Sequence, residues 1–96
     1  MQTKDEIESA VIDALRGVAD LYDLECPADL SGSSVPMAEV GGMDSLHAIE
    51  LIVDISARLG ITVDNNVFWD KKGKLRTVED AVDYLHGHQK EAKAKG

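Results

Sequence analysis

The chain has one cysteine, two prolines and four aromatic residues among 96. A single cysteine excludes an internal disulfide, and no zinc-ligand spacing surrounds Cys26. With Tyr22, Phe68, Trp69 and Tyr84 as the whole aromatic complement, the core has to be aliphatic. No apolar run reaches the length a membrane-spanning helix needs, so no membrane insertion is expected. The opening Met-Gln-Thr-Lys-Asp-Glu lacks signal-peptide character. Together these absences lead us to expect a cytoplasmic protein. Basic residues are also scarce over positions 1–70, where three bases face 14 acids within a formal net charge of −8. Positions 71–96 reverse the sign, with seven bases and four acids. An acidic body argues against a nucleic-acid partner, which needs a basic patch. It favours protein partners with basic docking surfaces, attracted over long range.

What is present reads as helix. A chain of this length makes one domain, with a modest core. Thr3-Lys4-Asp5-Glu6 has the form of a capping box, and Ile7, Val11, Leu15, Val18 and Tyr22 recur at helical spacing, widened by Ala10, Ala14 and Leu21. The spacing predicts a first helix over about residues 4–22. Helical period vanishes from Glu25 to Gly42, where Pro, Gly and Ser punctuate a long loop. Leu30, Val35, Met37 and Val40 are spaced through it to pin it to the core. Asp44 is a good N-cap, which makes Ser45 the first residue of a second helix stopped by Gly60. That helix is apolar around most of its circumference, apart from a polar stripe of His47, Glu50, Asp54 and Arg58. The pattern predicts a helix surrounded by other elements. A short helical turn is expected from Asp64 to Trp69, with an exposed turn over 71–74. Thr77 caps a last helix carrying Val78, Ala81, Val82 and Leu85 on one face. No apolar face remains beyond Gly87, so a domain over 1–88 with a polar, disordered tail over 89–96 is expected. The fold class predicted is all-α: a small four-helix bundle of three main helices and one short one, with a long first loop.

The chemistry concentrates in Met43-Asp44-Ser45-Leu46-His47. Asp, Ser and His within four positions invite a hydrolase reading. Helix geometry opposes it, because residues i and i+2 point to different sides. The Gly-x-Ser-x-Gly elbow is also absent. A serine at a helix start is instead exposed beside unpaired backbone N–H groups, a setting that suits a covalently attached phosphate. Ser45 is therefore read as an attachment point or as a helix cap. No metal site is expected: Asp64-Asn65-Asn66 lacks the glycine of a calcium loop, and His86 and His88 are two apart.

The stretch Gly42-Met43-Asp44-Ser45-Leu46-His47-Ala48-Ile49-Glu50-Leu51 resembles the Asp-Ser-Leu motif of acyl carrier proteins. Thr77-Val78-Glu79-Asp80-Ala81-Val82-Asp83-Tyr84-Leu85 is similar to the last helix of that family. The resemblance covers roughly residues 3–88. It implies a non-enzymatic carrier in which Ser45 holds 4′-phosphopantetheine, delivered from coenzyme A by a phosphopantetheinyl transferase. The arm's thiol would carry acyl or aminoacyl groups as thioesters to acyl-loading, acyl-transfer or synthase enzymes. The second helix would be the recognition surface, with Asp44, Leu46, His47, Glu50 and Asp54 as its residues, on a monomeric carrier. Departures are visible. His47 stands where an acid is common, Ser56-Ala57-Arg58 replace an acidic cluster, and Asn65–Arg76 is longer and more basic than usual. They point to a discrete carrier of a specialised polyketide, nonribosomal peptide or modified-lipid system. The alternative is an interaction module that kept the fold and does not carry the arm.

Overall fold

The computed structural model describes residues 3–63, 67–70 and 72–95, with side chains described up to Gly87. Its elements are α1 (Lys4–Tyr22), α2 (Pro36–Glu39), α3 (Ser45–Leu59) and α4 (Val78–Lys95), with no strand among the described residues. The all-α class, with three main helices and one short one, is as the sequence predicts.

Local chemistry sets the helix ends. The Thr3 hydroxyl accepts the Glu6 N–H at 3.2 Å while the Glu6 carboxylate accepts the Thr3 N–H at 3.0 Å, completing the expected capping box. At the other end Asp23 takes the left-handed conformation (φ 57°) and its N–H donates to Ala19 O. Asp visits this region more readily than most residues. Gly60 closes α3 in the same way, at φ 67°.

The long loop is tied at both ends. Glu25 and Gly41 exchange backbone hydrogen bonds of 3.1 and 2.8 Å. A Cβ on Gly41 would lie 3.1 Å from Glu25 Cβ, so this close approach favours glycine. Within the loop, Ser34 O accepts the Val78 N–H and Gly32 O accepts the Glu79 N–H, each at 2.8 Å. Thr77 supplies the next two acceptors, its hydroxyl for Asp80 N–H at 3.1 Å and its carbonyl for Ala81 N–H at 3.0 Å. The Val78, Glu79 and Asp80 N–H groups, which a helix cannot satisfy internally, thus have partners, and Ala81 makes the first regular helical bond. Loop and helix are fixed to one another.

The short helix lies elsewhere than expected. Of Asp64–Trp69, residues 64–66 lie outside the described residues, and Trp69 pairs with Leu75 in an antiparallel bridge instead of continuing a helical turn. The short helix is α2, inside the first loop. Pro36 stands at its start, where a fixed φ is preorganised and the missing N–H costs nothing. Val35 before it is extended, as a residue preceding proline should be.

The core is aliphatic. Ile7, Val11, Leu15 and Val18 of α1 meet Leu51, Ile52, Ile55 and Leu59 of α3 and Val78, Ala81, Val82 and Leu85 of α4. Burying each large aliphatic side chain contributes ~1.5–3 kcal/mol. Phe68 and Val67 are fully buried in the same core, and Trp69 packs against it. The helical backbone of α4 runs on through Lys95. Gln, Lys, Glu and Ala, all good helix formers, dominate those last residues.

Candidate functional site

Ser45 is the first residue of α3 and is exposed. The loop delivers it through Gly42, whose φ of 87° turns the chain into the cap. Asp44 is the N-cap: its Oδ1 accepts the His47 N–H at 3.0 Å, and its carbonyl accepts the Ala48 N–H at 3.0 Å. The remaining two opening N–H groups, those of Ser45 and Leu46, have no acceptor among the described residues. An exposed hydroxyl therefore stands beside two free donors at the positive end of the helix dipole. Asp44 is held in the cap and does not bond to the Ser45 hydroxyl.

His47 is not the solvent-exposed side chain that is most common at such a position. Its side chain is 20% exposed, its ring packs on Tyr22 at 4.8 Å between centroids, and its Nδ1 lies 3.1 Å from Asp44 Oδ1. The angle at Nδ1 does not make a hydrogen bond, so distance alone relates the two. No hydrogen bond joins the His47 ring to Ser45 among the described residues, in keeping with the spacing argument against a local triad. Asp54 pairs with Arg58 at 3.0 Å, one turn on. That pairing engages one expected recognition acid, while Glu50 is exposed and has no ion pair among the described residues.

α3 is not surrounded, contrary to the reading of its pattern. Leu46 is 71% exposed and Val53 60%, with Ile49 between them. These three sit at i, i+3 and i+7, one face of the helix, opposite the buried stripe of Ala48, Leu51, Ile52, Ile55 and Leu59. The α1 side adds Leu21, 73% exposed, and Tyr22. A groove of about 390 Å³ runs between α1 and α3, lined by Leu21, Val53 and Asp54. A second of about 260 Å³ is lined by Tyr22, Leu46, His47 and Ile49. Glu50 lines both. The sequence pattern placed Leu21 on the apolar face of the first helix and expected other elements all around the second. The available signal was the second apolar stripe itself, which one core face does not need.

Among the described residues no group of three His, Cys, Asp or Glu side chains is placed to hold a metal ion. No described helix is long and apolar enough to cross a membrane. No solved structure matches the chain. The model of the family described as "phosphopantetheine attachment site" matches residues 9–85, most of the chain and all of the bundle from the second turn of α1 to Leu85. The chain thus belongs to the phosphopantetheine attachment site family, whose carrier domains hold a covalently attached 4′-phosphopantetheine.

Proposed function

We propose that this chain is an acyl carrier protein with Ser45 as the attachment residue of 4′-phosphopantetheine. The single observation that carries the assignment is the setting of Ser45: an exposed hydroxyl at a helix start, with the N–H groups of Ser45 and Leu46 unengaged. A phosphodiester on Ser45 Oγ fits that setting, since the dipole and free donors favour an anion by ~0.3–1 kcal/mol. Asp44 holds the helix start through the cap, which leaves the hydroxyl accessible. When attached, the group supplies a terminal thiol that carries acyl or aminoacyl cargo as a thioester. The protein's own residues position that arm and do no chemistry on the cargo.

Recognition by the transferase and by acyl-loading or synthase enzymes is assigned to α3, through Asp44, Leu46, His47, Glu50 and Asp54. The exposed Ile49 and Val53 extend that surface. The carrier domain is taken as residues 1–88 of a cytoplasmic monomer, with 89–96 outside it. The altered α3 charges favour a dedicated pathway over general fatty-acid synthesis.

The test is modification of the purified protein by coenzyme A, magnesium and a promiscuous phosphopantetheinyl transferase, read by intact mass. One added phosphopantetheine, lost in Ser45→Ala, is the expected result. Absence of any adduct with several transferases would favour an interaction module that keeps the fold without the arm.

A further inference from the structure

Arm attachment makes no use of the segment between Phe68 and Thr77. It is nevertheless closely built. Trp69 and Leu75 pair across it, the Arg76 N–H donates to Phe68 O at 2.8 Å, and the Asp70 N–H donates to Lys74 O at 2.9 Å. Asp70 organises the tip: its Oδ1 accepts the N–H groups of Lys72 at 2.8 Å and Lys74 at 2.9 Å, and its carbonyl accepts that of Gly73 at 3.0 Å. These bonds, with that from the Lys74 N–H foremost, hold the Asp70 carboxyl below the ordinary aspartate range. Gly73, at φ 80°, makes the turn. At the root, Arg76 Nε donates to Trp69 O at 3.1 Å and its guanidinium lies 4.7 Å from the centre of the Tyr84 ring.

This fixed turn displays Lys72, Lys74 and Leu75 to solvent. Neither lysine side chain has an ion pair or hydrogen bond among the described residues. The turn is thus a preorganised cationic point on an otherwise acidic body, with an exposed leucine beside it. Below it lies a cleft of about 510 Å³, with Lys74 and Arg76 on one wall and Asp80, Asp83 and Tyr84 of α4 on the other.

We infer that the Trp69–Leu75 turn is a second docking element, opposite in sign to α3, which receives an acidic segment of a partner protein. Carboxylates of that segment meet Lys72 and Lys74, and an apolar side chain packs on Leu75. The mixed signs of the cleft favour a protein segment over an anionic membrane. Asp80 and Asp83 line the same cleft as Lys74, and a uniformly anionic plane laid over it would meet them as well. The inference does not depend on the arm, so the unmodified full chain serves for its test.

Amide shifts of the ¹⁵N-labelled protein are followed on titration with a short peptide of glutamates interrupted by one leucine. Vesicles of phosphatidylserine in phosphatidylcholine form the competing arm. Shifts centred on Gly73, Lys74 and Leu75 are expected. Affinity should fall about tenfold in Lys72→Glu/Lys74→Glu. It should also fall as salt rises from ~0.01 to ~0.15 M. Asp70→Ala separates preorganisation from charge: it removes a nearby negative charge yet loosens the turn, and weaker binding is expected. Shifts spread evenly over the chain, binding unchanged in the double variant, or tighter binding by Asp70→Ala would overturn the inference. So would binding to the anionic vesicles without binding to the peptide. Unchanged far-UV circular dichroism shows that the variants fold.

Discussion

Replacing Asp44 by alanine tests whether the cap builds the attachment site. The substitution removes the acceptor of the His47 N–H at 3.0 Å and the carboxylate 3.1 Å from His47 Nδ1. Losing an N-cap side chain costs typically ~1 kcal/mol. In a domain of this size that is a drop of about 4–8 °C in Tm. Asn caps as well as Asp, so Asp44→Asn loses only the charge–dipole term, roughly 0.3–0.5 kcal/mol at an exposed site. Urea unfolding followed by circular dichroism reads both, as a lowered midpoint at unchanged slope. After attachment at Ser45, the phosphodiester and the Asp44 carboxylate repel one another. The cost of Asp44→Asn should therefore shrink in the modified protein. An Asp44→Ala variant as stable as the parent would refute the reasoning. Equal losses in the two variants would show that charge, not the hydrogen bond, holds the helix start.

Gly42→Ala places a Cβ 3.0 Å from Leu24 Cδ2 at a backbone φ of 87°. It should cost ~1–2 kcal/mol in the same unfolding assay. Ile49→Ser and Val53→Ser alter exposed side chains and should change stability by less than ~0.5 kcal/mol. Together they should raise the transferase's KM for the carrier about tenfold if the α3 face docks; unchanged kinetics would exclude it from that interface. The Glu6 carboxyl is held below its ordinary value of 4.5, first by the Thr3 backbone N–H and then by the Thr3 side chain. A depressed folded-state pKa gives stability that is present above 4.5 and lost as pH falls through the folded value. Glu6→Gln should flatten part of the acid limb of an unfolding-midpoint-against-pH curve, and an unaltered limb would count against the capping box as its source.

The parts legible in the sequence are those written in local chemistry. Thr3 with Glu6, Asp44 before Ser45, Gly60 after Leu59 and Thr77 before Val78 each fix a helix end through one or two hydrogen bonds spanning a single turn. The Asp54–Arg58 pair is legible for the same reason. The parts missed depend on contacts distant in sequence. Tyr22 buries His47 from a different helix, and Glu25 meets Gly41 across the loop. Of the helical turn expected at Asp64–Trp69, residues 64–66 lie outside the described residues, and at its end Trp69 pairs with Leu75, which a one-turn pattern cannot foresee. Periodicity marks Leu46, Ile49 and Val53 as apolar but does not say whether core or partner covers them. Their position opposite Leu51, Ile52 and Ile55 answers that only once α1 has taken the inner face.

The central claim is that Ser45 carries the arm, and intact mass after incubation with coenzyme A, magnesium and a phosphopantetheinyl transferase tests it most directly. A single phosphopantetheine adduct on the parent protein and none on Ser45→Ala is the predicted result. An adduct that persists in Ser45→Ala, or no adduct on the parent with any transferase tried, would contradict it.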